Sequence, residues 1–134
     1  MVFKPIIVVA GEPNSIFSEI FLKSINYKKF KSPIILIASL DLIKLQMKKL
    51  KMNKKIRLVN FGNLNNCQLD NSKINLINVN FSQKKPFDKI SNKSNEYIKK
   101  SFDVALKILN EKITNKFING PVSKKFFLKK KYLG

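Results

Sequence analysis

The chain has 134 residues, 44% of them hydrophobic, which suits one domain with a packed core and excludes wholesale disorder. Its 27 basic and 8 acidic residues give a formal charge of +19, and the absence of histidine excludes imidazole acid–base chemistry and the common His-containing metal sites from this stretch. The single cysteine, Cys67, has no partner for an intramolecular disulfide and fits a reducing compartment.

Residues 5–10 (Pro-Ile-Ile-Val-Val-Ala) form a β-branched run bounded by Pro and Gly, the pattern of a strand buried on both faces in a parallel sheet. A turn over residues 11–15 follows, then an amphipathic helix from Ile16 to about Ile25 with its stripe on Ile16, Ile20, Phe21, Leu22 and Ile25. Residues 33–38 repeat the buried-strand signal, and residues 40–51 place Leu40, Ile43, Leu45, Met47 and Leu50 at helical spacing. A short strand is expected over residues 56–60, and an Asn- and Gly-rich loop over residues 61–71. Residues 74–81 alternate apolar with Asn, which suits a half-exposed or edge strand. Residues 83–93 read as a polar, basic loop around Pro86. The strongest helix spans residues 94–113, with Ser94 as N-cap and a stripe of Ile98, Phe102, Ala105, Leu109 and Ile113. A strand at residues 117–119, a turn at 120–122 and a helix from Ser123 to about Lys130 complete the order.

Strands alternating with helices define an α/β fold with a largely parallel sheet and flanking helices, in one unit over residues 1–134. Ligands of such folds bind at the carboxyl ends of the strands. Two strand-to-helix loops carry distinctive chemistry there, Gly11-Glu12-Pro13-Asn14-Ser15 and Gly120-Pro121-Val122-Ser123-Lys124. The site is expected where they meet. In the second loop Gly120 permits close backbone approach, Pro121 sets the turn, Ser123 caps the next helix, and Lys124 adds charge to that helix N-terminus. Together these suit a phosphate or carboxylate, although on spacing alone a plain strand-to-helix turn with a solvated lysine is favoured. Neither a phosphate-binding Gly-x-x-x-x-Gly-Lys-Ser/Thr loop nor a Gly-x-Gly-x-x-Gly fingerprint occurs. Glu12 suits a metal-bound water or a substrate ammonium or hydroxyl, or a solvent-facing turn. Glu19 reads as a surface charge, Lys129-Lys130-Lys131 as a solvated helix end, and Cys67 has no neighbour that would activate it.

The charge needs no polyanion partner to account for it, since an A/T-rich genome would produce the same bias. Of the basic residues 26 are Lys and one is Arg57, and Lys, Asn and Ile together make 59 of 134 residues, the bias of A/T-rich codons. The lysines are spread along the whole chain, without the arginines and interleaved aromatics of nucleic-acid readers. No specific nucleic-acid partner is expected. The apolar run at the N-terminus is too short for a signal h-region, and that at residues 33–43 is too short to span a bilayer. A cytoplasmic protein without a membrane partner is the expectation.

The two loops carry a resemblance. Residues 5–13, with Ile16, Glu19 and Ile20, are similar to the opening of the 4-hydroxythreonine-4-phosphate dehydrogenase family, whose first strand runs into Gly-Glu/Asp-Pro-Ala-Gly-Ile-Gly-Pro-Glu. Ile118-Asn119-Gly120-Pro121-Val122-Ser123-Lys124 resembles its Thr/Asn-Gly-Pro-Val/Ile-x-Lys segment, followed here by Leu128 and Tyr132-Leu133-Gly134. The sequence departs at Asn14, Ser15, Phe17 and Ser18, and a bulky Phe17 in place of Gly is expected to narrow or reshape the first loop. The resemblance implies an isocitrate/isopropylmalate dehydrogenase-like fold, a homodimer, and oxidation of 4-phosphooxy-L-threonine in pyridoxal 5'-phosphate biosynthesis. It further implies NAD or NADP, and a divalent metal (Zn, Mg or Co) bound by residues outside this chain. This chain would be an N-terminal portion, inactive alone, that lines the substrate cleft with Gly11, Glu12, Pro13, Gly120, Pro121, Ser123 and Lys124. The alternatives are a small basic nucleic-acid-binding module without enzymatic activity, and a paralogue oxidising another phosphorylated hydroxy acid.

Overall fold

The computed structural model describes residues 3–64 and 69–128. Cys67, the three lysines at 129–131 and the closing Tyr132, Leu133 and Gly134 lie outside them. The elements run β1 (Ile6–Val9), α1 (Phe17–Tyr27), β2 (Ile34–Ala38), α2 (Leu40–Lys49), β3 (Ile56–Leu58), β4 (Ile74–Asn78), α3 (Asn95–Asn110) and β5 (Lys116–Asn119), with single 3-10 turns at Phe61–Asn63 and Asn92–Ser94. The strands form one sheet in the order β3-β4-β2-β1-β5, every pairing parallel.

The β-branched runs are central because both their faces are covered. Val8, Ala10, Ile34, Leu36 and Ala38 face α1 and α2, meeting Phe21, Leu22, Ile25, Ile43 and Met47. Ile7, Val9, Ile35 and Ile37 face the other way, against Tyr97, Ile98, Ala105 and Ile108 of α3. Parallel crossovers are right-handed, so the direction of travel across the sheet decides the face. The connections from β1 to β2 and from β2 to β3 travel one way and pack on the α1–α2 face. Those from β3 to β4 and from β4 to β5 travel back, and Val59, Leu64 and α3 cover the opposite face. The chain leaving β2 enters α2 on one face, and the chain leaving its neighbour β4 leads to α3 on the other. This is the reversal of order beside which open α/β sheets place their ligands, at the strand carboxyl ends.

Two elements differ from the sequence reading. The Asn-alternating strand is internal, not an edge: β4 lies between β3 and β2 with residues 74–77 buried. Asn75, fully buried, donates to the carbonyls of Ile34 (3.1 Å) and Asp70 (2.8 Å) and accepts from Arg57 (3.1 Å), so its amide is satisfied without water. The expected last helix is a single turn among the described residues. Ser123 caps it, its Oγ accepting from Phe126 N (3.2 Å) and its carbonyl from Phe127 N (2.9 Å). No helix among the described residues is long and apolar enough to cross a membrane.

Candidate active site

The loops after β1 and β5 meet because their strands are neighbours in register, Val9 opposite Asn119. Gly120 N donates to Val9 O (2.7 Å) and Glu12 N to Pro121 O (2.8 Å). The two glycines make this approach possible. A Cβ on Gly120 would lie 2.1 Å from the carbonyl oxygen of Ala10, and one on Gly11 would lie 2.5 Å from that of Pro121. Gly11 also turns the chain with φ +72°. Gly120 thus serves the contact between the two loops and leaves no open cradle for a ligand. The second loop leads into one turn rather than a helix, so the expected helix N-terminus beside Lys124 is not formed by the described residues.

Glu12 does not face solvent. It is 2% exposed, its carboxylate accepting from Asn14 N (3.2 Å) and from the Ser94 hydroxyl (3.2 Å). Burial raises its pKa above the ordinary 4.5, and the two hydrogen bonds partly offset that. Ser94, expected as an N-cap, makes no side-chain cap bond to α3; its hydroxyl is committed to Glu12. One turn on, the Tyr97 hydroxyl accepts from Ser39 N (3.2 Å), and burial pushes its pKa far up, so the phenol stays neutral. The Ser39 hydroxyl donates to Phe81 O, which fastens α2 to the chain leaving β4.

The loop between β4 and α3 completes the site, and in the sequence it is legible only as a polar connection. Asn14 exchanges hydrogen bonds with the Gln83 amide (2.7 and 3.2 Å) and accepts from Asp88 N (2.9 Å). Gln46, fully buried, donates to Pro13 O and to Pro86 O, both at 3.0 Å, clamping the two loops together. Its signal in the sequence is a lone amide in the buried Leu42, Ile43, Met47 stripe of α2. Between these loops lies a cavity of about 740 Å³, lined by Asn14 and by residues of the β4–α3 loop as far as Ser94. Of the seven residues expected to line a cleft, Gly11, Glu12, Pro13 and Gly120 are buried, Pro121 and Lys124 are exposed, and Ser123 is half-buried. None of the seven lines this cavity.

Phe17 does not enter the first loop. Its ring passes beneath Gly120, 3.0 Å from where a Cβ would stand, and lines an apolar hollow on the α1 face with Ile20 and Ile118. The Ser15 hydroxyl accepts from Phe17 N (3.2 Å) and so shapes the entry to α1. Glu19 pairs with Lys23 on the surface of α1 (2.7 Å), as its position suggests. The described residues contain no group of three or more Asp, Glu, Cys or His side chains placed to hold a metal, and so do not fit a divalent cation site.

An all-parallel α/β sheet with its crevice at the strand carboxyl ends is the architecture of many enzymes that bind small phosphorylated molecules. Comparison with solved structures narrows the fold. The chain superposes on a 4-hydroxythreonine-4-phosphate dehydrogenase from Burkholderia phymatum with TM-score 0.81 at 12% identity, covering 98% of this chain and 40% of that one. It superposes equally well, TM-score 0.81 at 16% identity, on the 4-hydroxythreonine-4-phosphate dehydrogenase from Klebsiella pneumoniae, over 98% of this chain and 42% of that one. The fold is shared with these dehydrogenases, and the chain spans about two fifths of their length. No family model matches the chain, and no curated protein matches it.

Proposed function

We propose that the chain forms one wall of the active site of a dehydrogenase that oxidises 4-phosphooxy-L-threonine to a 3-oxo acid, which then loses CO2, in pyridoxal 5'-phosphate biosynthesis. The observation that carries this reading is the locking of the Gly11-Glu12-Pro13 loop onto Gly120-Pro121 at the carboxyl end of the sheet, in a chain of which 98% superposes on two such dehydrogenases. Glu12, Asn14 and Ser94 fix the shape of the wall, and Pro121, Ser123 and Lys124 are assigned to the cleft lining. Bound NAD or NADP would supply the hydride acceptor. The ligands of a divalent metal are assigned to residues outside this chain, and the working form to a cytoplasmic homodimer.

Two measurements test the reading. NADH formation from 4-phosphooxy-L-threonine with a divalent cation is expected to be absent for the 134 residues alone; turnover by them would overturn the assignment of a single wall. Reading the coding DNA past Gly134 is expected to reveal an in-frame continuation that supplies the metal ligands the described residues lack. A stop codon directly after Gly134 would sink the dehydrogenase reading for this product.

A further inference from the structure

We propose that residues 82–91 of the β4–α3 loop form a strap across the carboxyl ends of β2 and β1, and that the Asn14 side chain is the latch that keeps it closed. The inference goes beyond the function proposed above and rests on the fold alone.

The course of the strap follows from its contacts. After the chain leaves β4, Ser39, which directly follows β2, holds Phe81 O, and Asn14, in the loop after β1, then holds Gln83 and Asp88. Because β4, β2 and β1 are consecutive in the sheet, the segment passes the strand ends where ligands of open α/β sheets bind. A strap at that position controls entry to it.

Its ends are anchored and its middle is not. Val79 is buried and donates to Ala38 O (3.0 Å), and the Phe81 ring stacks on Tyr97 at 5.0 Å. At the far end the buried Ser94 hydroxyl donates to Glu12 (3.2 Å). Between them no residue from 80 to 93 is buried, and among the described residues none from 80 to 91 makes a backbone-to-backbone hydrogen bond. Segments with so few apolar contacts and backbone bonds open at far lower cost than the core does. What holds the middle is side chains. Asn14 Oδ1 accepts from Gln83 Nε2 (2.7 Å) and Asp88 N (2.9 Å), and Asn14 Nδ2 donates to Gln83 Oε1 (3.2 Å) and Lys89 O (3.4 Å). Gln46 adds one bond, to Pro86 O (3.0 Å). Asn14 is itself fixed, its backbone N donating to the buried Glu12 carboxylate (3.2 Å). One side chain thus carries four of the five bonds that the first loop and α2 make to the strap. Its loss frees the middle while both anchors stay.

Nuclear magnetic resonance of the protein tests the latch. In Asn14→Ala the heteronuclear NOE values of residues 82–91 should fall together, reporting fast motion of the whole strap. The Asp88 amide should exchange with solvent about tenfold faster or more, the scale of losing its acceptor and the bonds beside it. The amides of Ile98, Ala105 and Ile108 in α3 should accelerate far less than that of Asp88, which separates release of the strap from loss of the fold. Gln83→Ala keeps Asn14 but removes the bonds that Gln83 shares with it, and should accelerate Asp88 by an intermediate factor. Unchanged NOE values in Asn14→Ala, a change confined to residue 88, or α3 amides accelerating by the same factor as Asp88 would each overturn the latch. These readings are independent of NADH formation, so the strap and the dehydrogenase stand or fall separately.

Discussion

Glu12 is a carboxylate enclosed by protein, with the Asn14 amide and the Ser94 hydroxyl in place of water. Burial outweighs those bonds and raises its pKa above 4.5, so the folded protein holds this proton more tightly than the unfolded chain does. The sign of the linkage follows. The penalty for the ionised form is absent below the unfolded pKa, grows as pH climbs toward the folded pKa, and is constant above it. Glu12→Gln removes the titration. In urea denaturation between about pH 4 and pH 7, the variant should therefore gain stability relative to wild type as pH rises, and then hold a constant difference. A wild type that gains on Glu12→Gln over the same range would mean that the hydrogen bonds outweigh burial. The single loop glutamate is visible in the sequence, but its burial is not. Ser94 stands 82 positions away, and only the fold brings them together.

At the scale of elements, the contact between the β1 and β5 loops is a backbone-to-backbone fit, and glycine is its condition. Gly120→Ala would drive a methyl into the Ala10 carbonyl and should cost at least about 2 kcal/mol, as overpacking without room to relax does. Gly62→Ala is the control: nothing lies within 4 Å of its would-be Cβ, and the change should stay within about 0.5 kcal/mol. Equal unfolding midpoints for the two variants would show that the loops can part at little cost. Continuous apolar runs make β1 and β2 legible, and helical spacing makes α1, α2 and α3 legible as helices. Their buried faces are not: Ile16 and Ile20 of the expected α1 stripe are exposed, α2 buries Leu42 and Gln46 beside Ile43 and Met47, and α3 buries Ile108 rather than Leu109. Alternation misleads at β4, because Asn75 mimics a solvent-facing position while its amide is satisfied by Ile34, Asp70 and Arg57 from neighbouring chain. The meeting of the two loops follows from parallel α/β topology. The β4–α3 loop's share of the site rests on Asn14 and Gln46, which reach it from 69 and 40 positions away, and no local pattern encodes such reach.

At the scale of the whole molecule, two features oppose each other: a formal charge of +19 and, among the described residues, an edge strand with an exposed apolar side chain. Among the described residues β5 is an outermost strand, with Ile118 52% exposed beside the hollow that Phe17 and Ile20 line. An open parallel edge with an apolar side chain beside it invites pairing with another chain, and like charge on every molecule resists it. Salt screens the repulsion over about 8 Å at physiological ionic strength but leaves apolar contact intact. Self-association measured by sedimentation should therefore rise from low to moderate salt, and Ile118→Lys should suppress it by placing a charge on the edge. Attachment to polyanions has the opposite dependence, because added salt removes the advantage of counterion release. Association that falls with salt, or that Ile118→Lys leaves unchanged, would mean that the lysines and not the β5 edge govern how these chains meet.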